Sequence, residues 1–441
     1  MSRWKNVIKI AVFLVLIVAL GFVLNQVFLP KSENLRHAET FSSLPKDSFD
    51  VLFLGSSSVY FGISPLSIWE KSGILSYNRS TLYIAPEMQY LNLLDSLKDH
   101  HPKVVFLNVN VPTSGYDYEK GEYYVRYGMD HLPLSIPKAE LAYDLATNYY
   151  EDSFISYMVP LFRHHSRWEE LKAEDFAPLE HRTTWGQRLY TSVKSVPQKL
   201  LGRIDPYDTT VEYEYNVRSL EYNEKTIEAC LERGIDVVLL TMPRRSWSTA
   251  NHRALQDLAD KYGIAYLDFA TDELLNAIDF DLGEDFYDGN HLNISGSAKI
   301  SWYLADYLER NYALEDHRMD SKVSAEWNED LRLFKIRMLE LFKPRHVSYV
   351  QDGNTVEFTI NFELEGIDLQ YGWNVLNEEG ERLVAIGYGD QKALSYTFDE
   401  PGSYRVRAFL RNANDETAKR NQYVADIVVS EDPDVPITIT Q

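Results

Sequence analysis

Cysteine is almost missing from this sequence: Cys230 is its one thiol. A lone thiol excludes an intramolecular disulfide and any cysteine-based metal site. It sits in Thr226-Ile227-Glu228-Ala229-Cys230-Leu231, a run with the spacing of an apolar helix face, so it reads as a buried small hydrophobe and not as a reactive thiol. An exported protein without disulfides fits a bacterial envelope better than a eukaryotic secretory route. Also missing is a His-Glu-x-x-His run or any dense His/Asp spacing, which removes the usual basis for a metal hydrolase. No metal and no cofactor is expected. Basic residues are short as well: Lys plus Arg number 44 against 66 Asp plus Glu, a formal net charge of −22. Such a surface repels phosphate backbones and anionic headgroups, so nucleic acid is not expected as a partner, whereas a neutral or cationic partner such as a glycan is compatible.

What is present begins with a long apolar run. Ile10 to Leu24 is unbroken, and with Val7, Ile8 and the stretch to Leu29 it is long enough for a bilayer-spanning helix, which needs roughly 20 residues. Arg3, Lys5 and Lys9 precede it, so the positive-inside rule leaves the N-terminus in the cytoplasm and everything after Pro30 outside. No small-x-small cleavage signal and no cysteine follows the run, which favours an uncleaved transmembrane anchor over residues 7–29 rather than a signal peptide. Lys31 to Asp50 is polar and reads as a short stalk.

The 441 residues exceed one ordinary core, and two or three folded units are expected. Val51–Leu54, Val104–Val109 and Ile235–Thr241 are continuous apolar runs, the mark of strands buried on both faces. Ile264–Phe269 reads as a further short strand. Helical spacing marks Glu87–Lys98, Val217–Arg233, Leu255–Tyr262 and Ser295–Asn311, with Gly234 and Gly263 as stop signals. Alternation of strand and helix means an α/β fold with a largely parallel sheet over residues 45–312. An aromatic- and histidine-rich insertion, about 111–202, breaks that pattern. Residues 313–344 read as a charged helical linker, and 345–430 alternate like the short strands of a small β-sandwich.

Two local patterns carry chemistry. Gly55-Ser56-Ser57 follows the first buried strand directly. Sites in open α/β sheets form at the carboxyl ends of strands, and glycine permits the tight turn that aims the next hydroxyls outward. Serine needs an adjacent base to act as a nucleophile, and by itself such a run is more often a turn or a helix N-cap. Near the end of the same domain stands Asp288-Gly289-Asn290-His291. A spacing of three on a loop lets the Asp carboxylate hold one ring nitrogen while the other faces a substrate. Alone it is equally a polar turn before a helix capped by Ser295.

Together, in the order Ser, Asp, His, the two patterns resemble the first and last sequence blocks of the SGNH (GDSL-like) hydrolase superfamily, with Ser56 where Asp is usual. The flanks FLGSSSVYFGISP and FYDGNHLNISG are similar to a membrane-anchored bacterial branch of the DltD and alginate O-acetylation type. The resemblance implies a flavodoxin-like three-layer α/β/α sandwich and a catalytic triad of Ser57, Asp288 and His291. It also implies an oxyanion hole led by the Ser57 backbone N–H. Asn78 stands at the second block, which here has no Gly, and Asn108 or Asn110 at the third, where Gly-x-Asn-Asp is absent.

Further candidates come from composition. His164, His165, Arg167 and Trp168 cluster in the insertion and read either as a substrate-facing wall, with Trp168 stacking on a sugar, or as polar ties. Arg244, Arg245 and Trp247 follow the strand Ile235–Thr241 and share a rim with Ser57, or form a plain solvated loop. The function expected is an extracytoplasmic serine esterase or O-acyltransferase on O-acyl, chiefly acetyl, esters of a cell-envelope glycan or polymer. A membrane protein that delivers acyl groups is the expected partner of a transferase. The competing reading is a non-catalytic envelope protein that binds glycan on a degenerate scaffold.

Overall fold

The apolar runs become strands and their order sets the site. The computed structural model describes residues 2–82, 84–109, 112–118, 122–177, 183–191, 204–244, 247–432 and 434–441. Contacts divide the chain into two units: Met1–Tyr190 with Lys194–Asp320, and Thr191–Val193 with Ser321–Gln441.

Among its described residues the first unit holds five strands: β1 (Val51–Leu54), β2 (Ser76–Asn78), β3 (Val104–Asn108), β4 (Asp236–Thr241) and β5 (Ala265–Asp268). They form one sheet in the order β2-β1-β3-β4-β5, and every pairing is parallel. This is the doubly wound order of flavodoxin-like sheets, whose direction of winding reverses between β1 and β3. β1 and β3 are fully buried, as their unbroken apolar sequence requires. On one face, Val51, Phe53, Val104, Phe106, Val238 and Leu240 share a core with Ile300, Leu304 and Leu308 of the helix Ile294–Asn311. Cys230 is fully buried on the helix Val217–Leu231, and burial pushes its thiol up to about 12, so it is inert at neutral pH.

The expected stalk is different. Ser32 caps a helix, Glu33–Ser42, that buries Leu35, His37, Ala38 and Phe41. Those residues repeat every three or four positions, so a polar-looking stretch carries one packed face. His37 meets the ring of Tyr60 edge-on, and Phe41 meets Tyr77 in the same way. The short strand β2, unmarked in sequence, lies under this helix. Before it, the N-terminal helix Ser2–Phe28 is long and apolar enough to cross a membrane.

Among its described residues the second unit contains the helix Ser321–Met338, which buries Trp327 and Phe334, and eight strands. These are β6 (Val347–Asp352), β7 (Thr355–Ile360), β8 (Leu369–Leu376), β9 (Arg382–Gly389), β10 (Ala393–Thr397), β11 (Gly402–Asn412), β12 (Asp415–Val429) and β13 (Thr438–Thr440). They form antiparallel sheets ordered β10-β7-β6 and β13-β12-β11-β8-β9. Phe358 of one sheet faces Trp373 of the other, ring to ring at 6.3 Å.

Candidate active site

Ser57 is the first residue of a six-residue helix, Ser57–Gly62, that starts two residues beyond β1. Gly55 makes this start possible. A Cβ there would lie 2.6 Å from Val59 Cγ2 and 2.9 Å from Asn108 Cβ, closer than any real side chain approaches. The absence of a side chain lets the end of β1 pass against the end of β3, at the sheet's switch point. Ser56 is extended and accepts the N–H groups of Val59 and Tyr60, so Ser57 begins the first turn.

The partner loop is closed on itself. Phe286 and Leu292 form an antiparallel bridge, and Tyr287 N–H donates to the His291 carbonyl at 2.9 Å. Asp285 and Asn293 anchor its base, and both are fully buried. Asp285 accepts from Ser295 Oγ and Lys299 Nζ, each at 2.8 Å, and from Asp281 N–H at 2.7 Å. Asn293 caps the helix Ile294–Asn311 through Ser295 and Gly296 N–H and donates to the Glu284 carbonyl.

Within this loop Asp288 Oδ1 accepts the N–H groups of Asn290 (2.8 Å) and His291 (2.9 Å). Its Oδ2 stands 2.9 Å from His291 Nδ1. The other ring nitrogen, Nε2, is 2.8 Å from Ser57 Oγ, across 234 positions of sequence. Partial burial pushes the Asp288 carboxyl up, but the bonds from the imidazole and from the Asn290 and His291 N–H groups outweigh it and hold it below the usual carboxylate range. A charged carboxylate at Nδ1 fixes the proton there, which leaves Nε2 as the acceptor for the serine hydroxyl.

The ring of His291 meets Phe61 edge-on at 5.2 Å. Phe61 stacks on Tyr190 at 4.1 Å, and Tyr190 stacks on Tyr287 at 3.6 Å. Tyr190 belongs to a strap, Thr184–Tyr190, that sequence reasoning left unassigned within the insertion. The strap is tied by Asn78 N–H to the Trp185 carbonyl (3.0 Å), Arg188 N–H to the Tyr60 carbonyl (2.9 Å) and Ile294 N–H to the Tyr190 carbonyl (2.7 Å). Gln187 Nε2 adds bonds to the Phe61 carbonyl and to Ser297 Oγ. Its signal in sequence is Trp185-Gly186: both residues have positive φ, 49° and 93°, and a Cβ at Gly186 would meet the Asn78 carbonyl at 2.1 Å.

The asparagines divide. Asn78 gives its amide N–H groups to the Val59 and Ile63 carbonyls, at 2.8 and 3.0 Å, and its Oδ1 accepts from Ser80 N–H. That corrects the expectation for Asn78: it braces the helix that carries Ser57, and both its donors are used. Asn108 lies at the end of β3 beside Gly55. Its Nδ2 donates to the Leu240 carbonyl at 2.7 Å, and its Oδ1 accepts from Ser58 Oγ at 3.4 Å. Asn110 lies outside the described residues.

In the insertion, His164, His165 and Arg167 make polar ties. His164 Nε2 bonds Asp130 (3.1 Å) and His165 Nδ1 the Phe162 carbonyl (2.9 Å). Arg167 bonds Asp175 (3.0 Å) and the Phe28 carbonyl (2.5 Å) at the end of the N-terminal helix. Trp168 is exposed. Among the described residues none of these bonds reaches Ser57 or His291.

Trp247 is also a correction: it is buried and donates Nε1–H to Asp268 at 3.1 Å, where His252 and Tyr266 converge as well. An indole locked on a buried carboxylate is structural, because moving it would leave both groups unpaired. Arg244 lies over the Trp247 ring at 5.5 Å, and Arg245 lies outside the described residues.

No family model matches the chain, and no curated protein matches it. Solved structures do. One is a crystal structure of a "putative acylhydrolase" from Bacteroides fragilis, 11% identical, covering 64% of this chain and 98% of its own, with a TM-score of 0.31. A likeness this distant says nothing of chemistry.

Proposed function

We propose that this protein is a serine ester hydrolase or O-acyltransferase, with Ser57 as nucleophile, His291 as general base and Asp288 as the group that orients it. The observation that carries this reading is the continuous line of bonds from Ser57 Oγ through His291 to Asp288, 2.8 and 2.9 Å, built from segments 234 positions apart. Both lengths fall within the ~2.6–3.2 Å reach of general-base catalysis. A glycan-binding protein gains nothing from such an alignment.

In the first half-reaction Ser57 Oγ attacks the acyl carbonyl while its proton passes to His291 Nε2. The resulting imidazolium, paired with Asp288, returns that proton to the departing alcohol oxygen as the C–O bond breaks. The acyl group is then on Ser57. Water or a sugar hydroxyl, deprotonated by His291, attacks the acyl-serine; the bond from the carbonyl carbon to Ser57 Oγ breaks, His291 returns the proton to Oγ, and an acid or a new ester leaves. Negative charge on the carbonyl oxygen is met by the Ser57 backbone N–H, which has no acceptor within its helix at that first position. The second N–H of Asn108 Nδ2, beyond the one given to Leu240, is the side-chain donor in this scheme. Water and sugar hydroxyls enter the second step in the same way, so both acceptors belong to the proposal.

The substrate we assign is an O-acyl, chiefly acetyl, ester of an envelope glycan or polymer, on the outer side of the plasma membrane, with a membrane acyl donor as partner in the transferase case. Support comes from the apolar N-terminal helix with basic residues before it and the hydrolase-type pair of blocks after it.

The test is labelling by a fluorophosphonate probe, followed by mass mapping of the adduct. Full-length protein is expected to be labelled on Ser57, and Ser57→Ala is expected to be blank. A silent wild-type protein, or an adduct elsewhere, removes the proposal.

A further inference from the structure

Arg188 sits in the middle of the strap Thr184–Tyr190, half-buried beside the proposed site. Its guanidinium carbon is 5.4 Å from the centre of the Phe61 ring and 5.7 Å from that of Tyr190. Phe61 is the ring that His291 meets edge-on. The cation is therefore one aromatic ring removed from the proposed base.

Among the described residues no acid pairs with Arg188, and its charge is felt by the rings of Phe61 and Tyr190 and by Tyr127. Among the described residues, no carboxylate, carbonyl or hydroxyl oxygen bonds the Arg188 side chain. Contrast Arg126 and Arg218, each held by two or more carboxylates. Stacking over rings within ~6 Å engages the faces of a guanidinium and leaves its in-plane N–H groups available for a bidentate acceptor. The backbone on either side is pinned by the Tyr60 and Ile294 bonds, and Trp185 and Gly186 hold left-handed conformations just before it. Such strain persists where surrounding structure fixes it, and it clusters at functional positions.

Resting on the proposed function, we infer that Arg188 is a specificity-determining residue that binds an oxyanion, carboxylate or phosphate, carried by the acyl ester. The net charge of −22 does not oppose this. Charges beyond a Debye length of ~8 Å are screened, whereas a cation next to the site acts at contact distance. A planar, always-charged fork suits either oxyanion.

The experiment uses full-length protein and three acetyl esters: 4-acetoxybenzoate, 4-acetoxyphenyl phosphate and methyl 4-acetoxybenzoate. The readout is selectivity, kcat/KM for each anionic ester divided by that for the neutral one. A charge-assisted bidentate bond corresponds to about 10- to 100-fold. Arg188→Gln is expected to lower the selectivity by that factor, chiefly through KM, and Arg188→Lys to restore part of it. Loss confined to one anion assigns the oxyanion. An equal fall on all three esters, or no change in selectivity, overturns the inference, since Arg188 would then only pack Phe61 and Tyr190. Calorimetric binding of 4-acetoxybenzoate to Ser57→Ala, with and without Arg188→Gln, separates the two claims. If no ester turns over, the proposed chemistry fails, while weaker binding in the double variant still supports Arg188 and equal binding rejects it.

Discussion

Replacing Asp288 by Asn changes one atom and, by the geometry of this loop, reverses the imidazole. Oδ1 accepts two backbone N–H groups, from Asn290 at 2.8 Å and His291 at 2.9 Å. An amide nitrogen cannot take that place, because it would set donors against donors. In Asp288→Asn the carbonyl oxygen therefore stays at Oδ1 and the NH2 occupies the Oδ2 position, 2.9 Å from His291 Nδ1. The NH2 faces Nδ1 at 2.9 Å, against 3.1 Å for the carbonyl oxygen, so Nδ1 is expected to accept, the ring proton to move to Nε2, and Nε2 no longer to accept from Ser57 Oγ. In Ser-His-Asp sites generally this swap costs on the order of 10⁴ in kcat. The Asp288 side chain is 36% exposed, so solvent weakens its hold and the lower end, ~10³, is expected, equivalent to about 4 kcal/mol of transition-state stabilisation. Because both backbone bonds survive, folding stability should change by less than ~1 kcal/mol.

The assay is ester turnover and the rate of fluorophosphonate labelling, with melting measured in parallel and ¹⁵N spectra of labelled histidine reporting the tautomer. A loss under about tenfold at unchanged melting would refute the orienting role. So would a ring proton that stays on Nδ1. The pH behaviour follows from the same bonds. A carboxyl held below its unfolded value contributes stability that is complete above ~3.9 and is lost as pH falls through the lower, folded value. Asp288 should thus stay charged, and the loop closed, across the mildly acidic range.

Gly55→Ala should force Val59 or Asn108 to move, since the new Cβ would sit 2.6 and 2.9 Å from their side chains. Overpacking of this kind costs ~1–3 kcal/mol; a lower melting temperature and slowed labelling of Ser57 are expected, and no change in either would show that β1 and β3 do not meet so closely. In the second unit, His346 Nδ1 accepts Lys343 N–H at 3.0 Å, and burial, with Arg345 and Lys343 nearby, pushes the imidazole down to about 4. The unfolded chain takes up that proton from ~6.5 downward, so stability is full above that pH and declines as pH falls toward about 4. Melting of His346→Gln should depend less on pH over that window than wild type; identical slopes would count against the buried neutral imidazole.

Much of the α/β unit was legible because parallel strands buried on both faces leave apolar runs that need no partner to be seen. Val51–Leu54, Val104–Asn108 and Asp236–Thr241 are such runs. The three-residue β2 is not. Ser76-Tyr77-Asn78 is polar at both ends and becomes a strand only because β1 offers it an edge and the helix Glu33–Ser42 covers it. The same helix hid in a stretch that counts as polar, since only one of its faces is apolar. Here tertiary contact, not local preference, decides the element.

The candidate site divides along the same line. Asp288 and His291 were visible because a spacing of three on a loop lets a carboxylate meet an imidazole, while Ser57, 234 positions from His291, was joined to them only through the resemblance of the two sequence blocks. Asn78, Asn108 and Trp247 were visible as residue types, but type does not say which atoms are already spent, and the structure spends Asn78 on two helix carbonyls and Trp247 on Asp268. Arg188 and Tyr190 had no such signature. They matter only because the strap returns from the insertion to lie over Phe61, and that return depends on Trp185 and Gly186 adopting positive φ against Asn78. A side-chain N–H already given to a buried carbonyl or carboxylate inside the fold is not available to a substrate. Among the described residues, the groups left for the proposed chemistry are the Ser57 hydroxyl turned toward His291, one N–H of Asn108 and the guanidinium edge of Arg188.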